Sequence, residues 1–218
     1  MKKVTIWGIS LRLSRFLPGN IIFSCLVGLI LLLDGRPTYG KDISNALENY
    51  RTQADSAALD DRCKVLTPDE RSVLNVYREG LTAFIQANEA GFASSKASID
   101  SESRAAAQTA HCDKASITVR SVYEETVATK LSLRPALLSM AMNLGERCNV
   151  ISKEDDNTLM RAWAQMGNDV VKQYNASIRA RYVVHEAAAE QQSQKLPCSD
   201  ARQTIDLALK LASQVLHQ

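Results

Sequence analysis

The sequence predicts an all-α protein made of two tandem helical units, each pinned by one disulfide and together forming a duplicated helical bundle. Three observations carry this prediction. After residue 40 proline occurs only at Pro68, Pro135 and Pro197, apolar side chains recur at helical spacing, and a motif around one cysteine returns 85 residues later. Strand-like alternation punctuated by turn residues does not stand out. We expect about three to four helices in each unit.

The first forty residues have the organisation of a secretory signal peptide. Residues 1–20 carry four basic and no acidic residues, and an uncharged run from Ile21 to Leu33 follows. Cleavage is expected after Gly40, behind a short exit segment. The alternative is an uncleaved anchor, although the run is shorter than the roughly 20 residues that cross a bilayer. Cys25 lies inside the run and is expected to be part of its apolar core, not a lipid acceptor.

Removing the signal changes the charge balance. The whole chain has 26 basic and 24 acidic residues, of which residues 1–40 hold five and one, which leaves 21 and 23. A near-neutral remainder without a Lys/Arg cluster does not favour nucleic acid as a partner. With no second long apolar run, stable membrane insertion after signal cleavage is not expected either.

A nine-residue pattern recurs around two of the cysteines. Residues 62–70 read RCKVLTPDE and residues 147–155 read RCNVISKED, which share Arg-Cys-x-Val-aliphatic-hydroxyl-x-acid-acid. The other two cysteines begin the related segments CDKA and CSDA, now at an offset of 86. We therefore divide the chain into a signal peptide (1–40), helical repeat 1 (41–131) and helical repeat 2 (132–218).

The shared positions suit helix starts. Thr67 and Ser152 are expected N-caps, because their side-chain oxygens can accept from free backbone N–H groups of the next turn. Glu70 would complete a capping box with Thr67, and Asp155 would form a weaker box with Ser152.

Helical apolar spacing follows each cap. The residues of these stripes are Val73, Tyr77, Leu81 and Phe84 in repeat 1, and Leu159, Trp163, Met166, Val170 and Tyr174 in repeat 2. One asymmetric cluster, Trp163 with Met160 and Met166, is interpreted as buried core. Further caps are expected at Asp113 and at Ser199 or Asp200, after the second cysteine of each unit.

Four cysteines in an exported chain suggest two disulfides with three possible connectivities. A straight helix over the 49 residues between Cys63 and Cys112 would hold them about 70 Å apart, and a bond needs Cα atoms within roughly 7 Å. Two antiparallel helices with a break midway would bring them together. We therefore expect Cys63–Cys112 and Cys148–Cys198. Four buried thiols are the alternative, and a zinc site is disfavoured because no Cys-x-x-Cys occurs.

The opening of the expected second helix resembles that of a known family. Leu66-Thr67-Pro68-Asp69-Glu70-Arg71 is similar to the Leu-Thr-Pro-x-x-Arg start in the small helical periplasmic chaperones of the Spy/CpxP type. Repeat 2 departs from this motif, and the cysteine framework is foreign to that family. Two cysteines about fifty residues apart are similar in plan to periplasmic acid-stress chaperones. Both resemblances imply a helical periplasmic chaperone.

Candidate catalytic groups do not form a constellation. His185-Glu186 suggests a zinc-protease helix, but Ala189 stands where the second histidine is required. His111 beside Cys112 could form a Cys–His nucleophile, an idea that fails if Cys112 is in a disulfide. We predict no catalytic residue, no cofactor and no metal site.

The expected function is therefore that of an exported, periplasmic or secreted, non-enzymatic helical protein. It would bind a protein partner as an adaptor, an inhibitor or a chaperone. The alternative is an enzyme or small-ligand carrier whose site lies in the crevice between the two repeats. The oligomeric state is left open.

Overall fold

The structure is a computed structural model that describes residues 4–6, 9–11 and 39–217. Val4–Ile6 (β1) and Ile9–Leu11 (β2) pair antiparallel, with Thr5 opposite Ser10. This hairpin lies within the predicted signal peptide, outside the residues 41–218 for which helices were predicted, and strands of three residues offer too little alternation to detect. The apolar core of the predicted signal, including Cys25, lies outside the described residues. Within the described part, no helix is long and apolar enough to cross a membrane.

Residues 39–217 are helical, as predicted. The helices are α1 (Tyr39–Cys63), α2 (Pro68–Asn88), α3 (Phe92–Thr109), α4 (Cys112–Arg147), α5 (Lys153–Gln173), α6 (Ala176–Ser193) and α7 (Ala201–Leu216), with a 3₁₀ turn at Cys198–Asp200. The predicted cleavage point after Gly40 falls in the first turn of α1. Of the further caps that were expected, Asp200 is the N-cap residue of α7, but its side chain makes no capping bond. Ser199 lies in the 3₁₀ turn, and Asp113 lies inside α4, whose N-cap residue is His111.

Helix α4 runs without a break through the predicted boundary between the repeats. It contains 36 residues, which corresponds to about 54 Å. Pro135 lies within it and is buried, although a proline in a helix interior cannot donate to the carbonyl four residues earlier. The closing helix of the first half and the opening helix of the second half are thus one continuous element.

In the first half, α1 packs against α2, α3 and the N-terminal part of α4, and α2 also contacts α4. Tyr50 and Phe92 meet edge to face in its core, with ring centroids 5.3 Å apart. Helices α1 and α3 run in the same direction, since Tyr50 bonds Asp100 and Asp55 bonds Ser103 further along both helices. The directions therefore alternate along the chain, as in an up-down-up-down bundle.

The second half repeats this contact scheme. The C-terminal part of α4 packs against α5, α6 and α7, and α5 also contacts α7. Leu137, Leu159 and Ile205 are fully buried at this centre. Helix α6 in addition lies along the N-terminal part of α4, where Ile178 packs with Val127. Helices α4 and α6 thus join the two halves.

Candidate functional site

Two disulfides fasten the corners of the fold. Cys63 is bonded to Cys112 and Cys148 to Cys198, with Cα atoms 5.5 Å apart in both pairs. Each bond ties the end of an opening helix to the start of the closing segment of the same half. This is the connectivity expected from the sequence. Disulfides persist in oxidising compartments, which fits a chain that leaves the cytosol.

An arginine directly before the first cysteine stabilises each corner. Arg62 Nη1 donates to the Ala107 carbonyl at the end of α3. Arg147 Nη2 donates to the Leu196 carbonyl and, at 3.3 Å, to that of Ser193 at the end of α6. The last carbonyls of a helix lack intrahelical donors, and a cation there also suits the helix dipole. In each half, the arginine of the motif therefore caps the end of the third helix. The neighbouring cysteine bonds the segment that follows that helix.

The expected caps begin α2 and α5. Thr67 Oγ1 accepts from Glu70 N at 3.3 Å, and Glu70 Oε2 accepts from Thr67 N at 2.9 Å. Ser152 Oγ accepts from Asp155 N at 3.1 Å, while the shorter Asp155 carboxylate accepts from the Ser152 hydroxyl. Burial alone would raise the pKa of Glu70, but hydrogen bonds from Arg120 and Thr67 outweigh it and lower the pKa.

The two halves differ at the corner after the opening helix. We call residues counterparts when they are 85 positions apart up to the end of α5, and 86 apart from α6 onward. Asp60 is 1% exposed and accepts from Leu66 N at 2.8 Å and from Arg71 Nε at 2.6 Å. Its counterpart is Gly145, where an added Cβ would lie 2.7 Å from Ile151 Cβ. An ion pair fills this corner in the first half, and an aliphatic side chain fills it in the second.

The same contrast continues along the inner face of the opening helix. Gln53 and Ser56 are buried in α1, and Gln53 Nε2 donates to Thr126 Oγ1 at 2.8 Å. Their counterparts in α4 are Leu138 and Ala141, both fully buried in the apolar core. At these two positions the inner face of the opening helix is therefore polar in the first half and apolar in the second.

The outer surface shows the opposite contrast. Ten uncharged residues form a stripe on the outer side of α5 and α6, and we call them the α5–α6 face: Met160, Trp163, Ala164, Gly167, Val171, Ala180, Val183, Val184, Ala187 and Ala188. Val184 is 68% exposed, Val183 60%, Met160 51% and Trp163 37%. The prediction that Trp163 and Met160 are buried core was therefore wrong. Helix α5 buries a neighbouring flank, with Leu159 inside and Met166 partly buried against the core.

The counterparts of this face in α2 and α3 are polar at every position except Ala97. They are Asn75, Arg78, Glu79, Thr82, Gln86, Ser94, Ala97, Ser98, Ser101 and Glu102. The same scaffold positions thus carry polar side chains in one half and apolar ones in the other. Adjoining exposed apolar side chains of this kind mark interaction sites more often than single ones do.

Two hydrogen bonds connect α5 and α6 near this face. Trp163 Nε1 donates to Glu186 Oε1 at 2.8 Å, and Arg179 Nη1 donates to the Val171 carbonyl at 3.3 Å. Next to Glu186, the Tyr182 hydroxyl is buried and has no hydrogen-bond partner among the described residues. Burial first, and Glu186 second, raise the pKa of Tyr182.

The carboxylate of Glu186 has a counterpart in the first half that lies in different surroundings. Asp100, the counterpart of Glu186, accepts from Lys96 Nζ at 2.7 Å and from Tyr50 at 2.8 Å. Burial alone would raise the pKa of Asp100, but these bonds and the charge of Arg78 lower it. The first half therefore surrounds its carboxylate with cations, where the second half has aromatic side chains.

The residues with catalytic potential are engaged elsewhere. His185 Nε2 lies 2.8 Å from Glu125 Oε1 and 3.3 Å from Thr129 Oγ1, between α6 and α4. Cys112 beside His111 is oxidised in a disulfide and so offers no thiolate. No group of three or more His, Cys, Asp or Glu able to hold a metal occurs in the described part of the chain.

Two surface depressions lie within single halves, away from the junction between them. One of about 400 Å³ lies between α4 and α6 and is lined by Asn143, Glu146, Arg147, Glu190, Ser193 and Gln194. The other, of about 140 Å³, lies between α1 and α2 beside Asp60 and Arg71. Most of the residues that line them have polar side chains.

A scan of protein-family models and searches of curated proteins and solved structures find no match to this chain.

Proposed function

We propose that this chain is an exported, non-enzymatic helical protein, duplicated in tandem, that binds a protein partner through the α5–α6 face. The observation that carries the proposal is the contrast between counterparts: Arg78 and Asn75 in the first half, Trp163 and Met160 in the second. Because polar residues occupy the same places in an equally helical half, the apolar ones are not required for folding. Binding is the use that accounts for them.

Duplication is supported by details that recur at one spacing. Lys64 and Asn149 both follow an opening helix with left-handed backbone, at φ 51° and 54°. Arg62 and Arg147 contact the same helix end in each half. The offset changes from 85 to 86 at the turn between α5 and α6, so one inserted residue accounts for it.

The composition of the face supports binding over catalysis. Tryptophan and methionine are enriched in the buried centres of protein interfaces, and charged residues are depleted there. The α5–α6 face has both properties, and it offers neither a nucleophile nor a general base. The predicted signal and the two disulfides support export to an oxidising compartment.

The test exchanges five residues of the face for their counterparts: Met160→Asn, Trp163→Arg, Val171→Gln, Val183→Ala and Val184→Ser. Tagged wild type and this variant are used for quantitative affinity capture from the source cell. We expect the variant to fold normally and to lose the proteins that wild type recovers. The control is Ile117→Ser, which changes a 73% exposed residue on α4. Equal recovery by wild type and the exchanged variant would overturn the proposal.

A further inference from the structure

We infer that the partner on the α5–α6 face is a second copy of this chain, packed antiparallel about a two-fold axis at the middle of α6. This inference rests on the proposed function, because it names the occupant of the same face. Two-fold contacts require a surface that is complementary to itself. The order of charges along α6 meets that requirement.

The charges of α6 are divided between its ends. Arg179 and Arg181 lie in its first part, and Glu186 and Glu190 lie in its last part. The midpoint of Ala176–Ser193 falls between Val184 and His185. Arg179 stands five residues before this point and Glu190 five residues after it, on the same flank of the helix. An antiparallel second copy therefore brings each Arg179 to the Glu190 of the other copy.

The middle of the helix carries small side chains on its exposed side. Val183 and Val184 are adjacent near the midpoint, with Ala180 before them and Ala187 after them. Such small side chains let two helices approach closely. Helix α5 adds Met160 and Trp163 beside this seam, and both are at least one-third exposed.

Other arrangements lack this complementarity. A parallel pair of α6 helices would place Arg179 against Arg179 and Glu190 against Glu190. Like charges set directly opposite across an interface are unfavourable. A different protein would have to present the reverse order of charges on a helix of similar length. A second copy of this chain presents that order when its α6 runs antiparallel.

The test is sedimentation velocity over a range of concentrations with four forms of the purified protein: wild type, Arg179→Glu, Glu190→Arg and the double variant. We expect wild type to dimerise and each single variant to weaken the dimer about tenfold or more. The double variant should regain the dimer, since the reversed charges are again complementary. Circular dichroism of each variant verifies the fold.

Two results would overturn the inference. One is a wild-type protein that stays monomeric at every concentration, and the other is a double variant no tighter than the single ones. The capture experiment separates this failure from failure of the proposed function. If wild type is monomeric but still recovers a different protein that the exchanged variant loses, the face binds a heterologous partner. If capture also shows no difference, both proposals fall.

Discussion

Trp163 Nε1 donates a hydrogen bond of 2.8 Å to Glu186 Oε1 and so connects α5 to α6. Their counterparts are Arg78 and Asp100, and the charge of Arg78 helps to lower the pKa of Asp100. Each half thus places a side chain with N–H groups near a carboxylate. That side chain is the cationic Arg78 in the first half and the neutral indole of Trp163 in the second. The exchange leaves an aromatic ring partly in solvent.

The first prediction separates an interface tryptophan from a core tryptophan. Trp163→Arg should change the free energy of unfolding by less than about 1 kcal/mol, because substitutions at exposed positions have small effects. Urea unfolding measures this quantity. Truncation of a buried tryptophan costs about 3–5 kcal/mol, so a loss of that size would mean that Trp163 belongs to the core after all.

The second prediction concerns the buried carboxylate of the first half. Asp60→Ala should lower the free energy of unfolding by about 3 kcal/mol, because it leaves Leu66 N and the Arg71 guanidinium without their partner. Asp60→Asn should cost less, since the amide oxygen can still accept from Leu66 N. Urea unfolding of both variants checks the order. An Asp60→Ala variant as stable as wild type would contradict the role of this ion pair.

The third prediction uses two glycines of different surroundings. Gly145→Ala should destabilise the protein by about 1–3 kcal/mol, because its Cβ would overlap Ile151. Gly80→Ala is the matched control, since a Cβ there meets nothing within 4 Å. That control should stabilise α2 by about 0.5–1 kcal/mol through helix propensity. Thermal unfolding should therefore shift in opposite directions, and equal shifts would argue against the tight corner.

The fourth prediction concerns the disulfides. Peptide mapping without reduction should find Cys63 joined to Cys112 and Cys148 joined to Cys198, and a Cys112–Cys148 peptide would contradict the fold. Replacing either pair by serine should lower the free energy of unfolding by up to about 4 kcal/mol, the value for a closed loop of this length.

The fifth prediction concerns acid stability. The pKa of Glu70 is lowered from 4.5 in the folded chain, so its bonds to Arg120 and Thr67 stabilise the fold above that pH. This contribution is lost as the pH falls through the lowered value. Glu70→Gln should therefore be less stable than wild type near neutrality, and the difference should shrink in acid. A difference independent of pH would show that the charge of Glu70 is not involved.

Local chemistry made part of the structure predictable. Thr67 and Ser152 cap helices because a hydroxyl beside free N–H groups acts within one turn, and the cysteine pairs follow from chain reach. The continuity of α4 through Pro135 was not visible, since neighbouring helices decide whether a proline-containing segment stays straight. The ion pair of Asp60 was not predicted, because its partner Arg71 lies beyond a turn.

The exposed apolar face was not predicted, because helical spacing of apolar residues was interpreted as buried core. Trp163 and Met160 follow helical spacing, but spacing alone does not say which side of an apolar helix is covered. Helix α5 has apolar residues on two flanks, and Leu159 and Ala162 are the ones that face the core. Comparison with Arg78 and Asn75, at the same places in the first half, was the sequence signal that could have identified the exposed flank.

The most direct test of protein binding by the α5–α6 face places a photo-activated crosslinking amino acid at one of two counterpart positions, 184 or 98, in the living source cell. Both positions are exposed on the outer side of the third helix of their half. We expect a covalent protein adduct from position 184, on the α5–α6 face, and none from position 98. Adducts of equal yield at both positions, or no adduct from position 184, would contradict it.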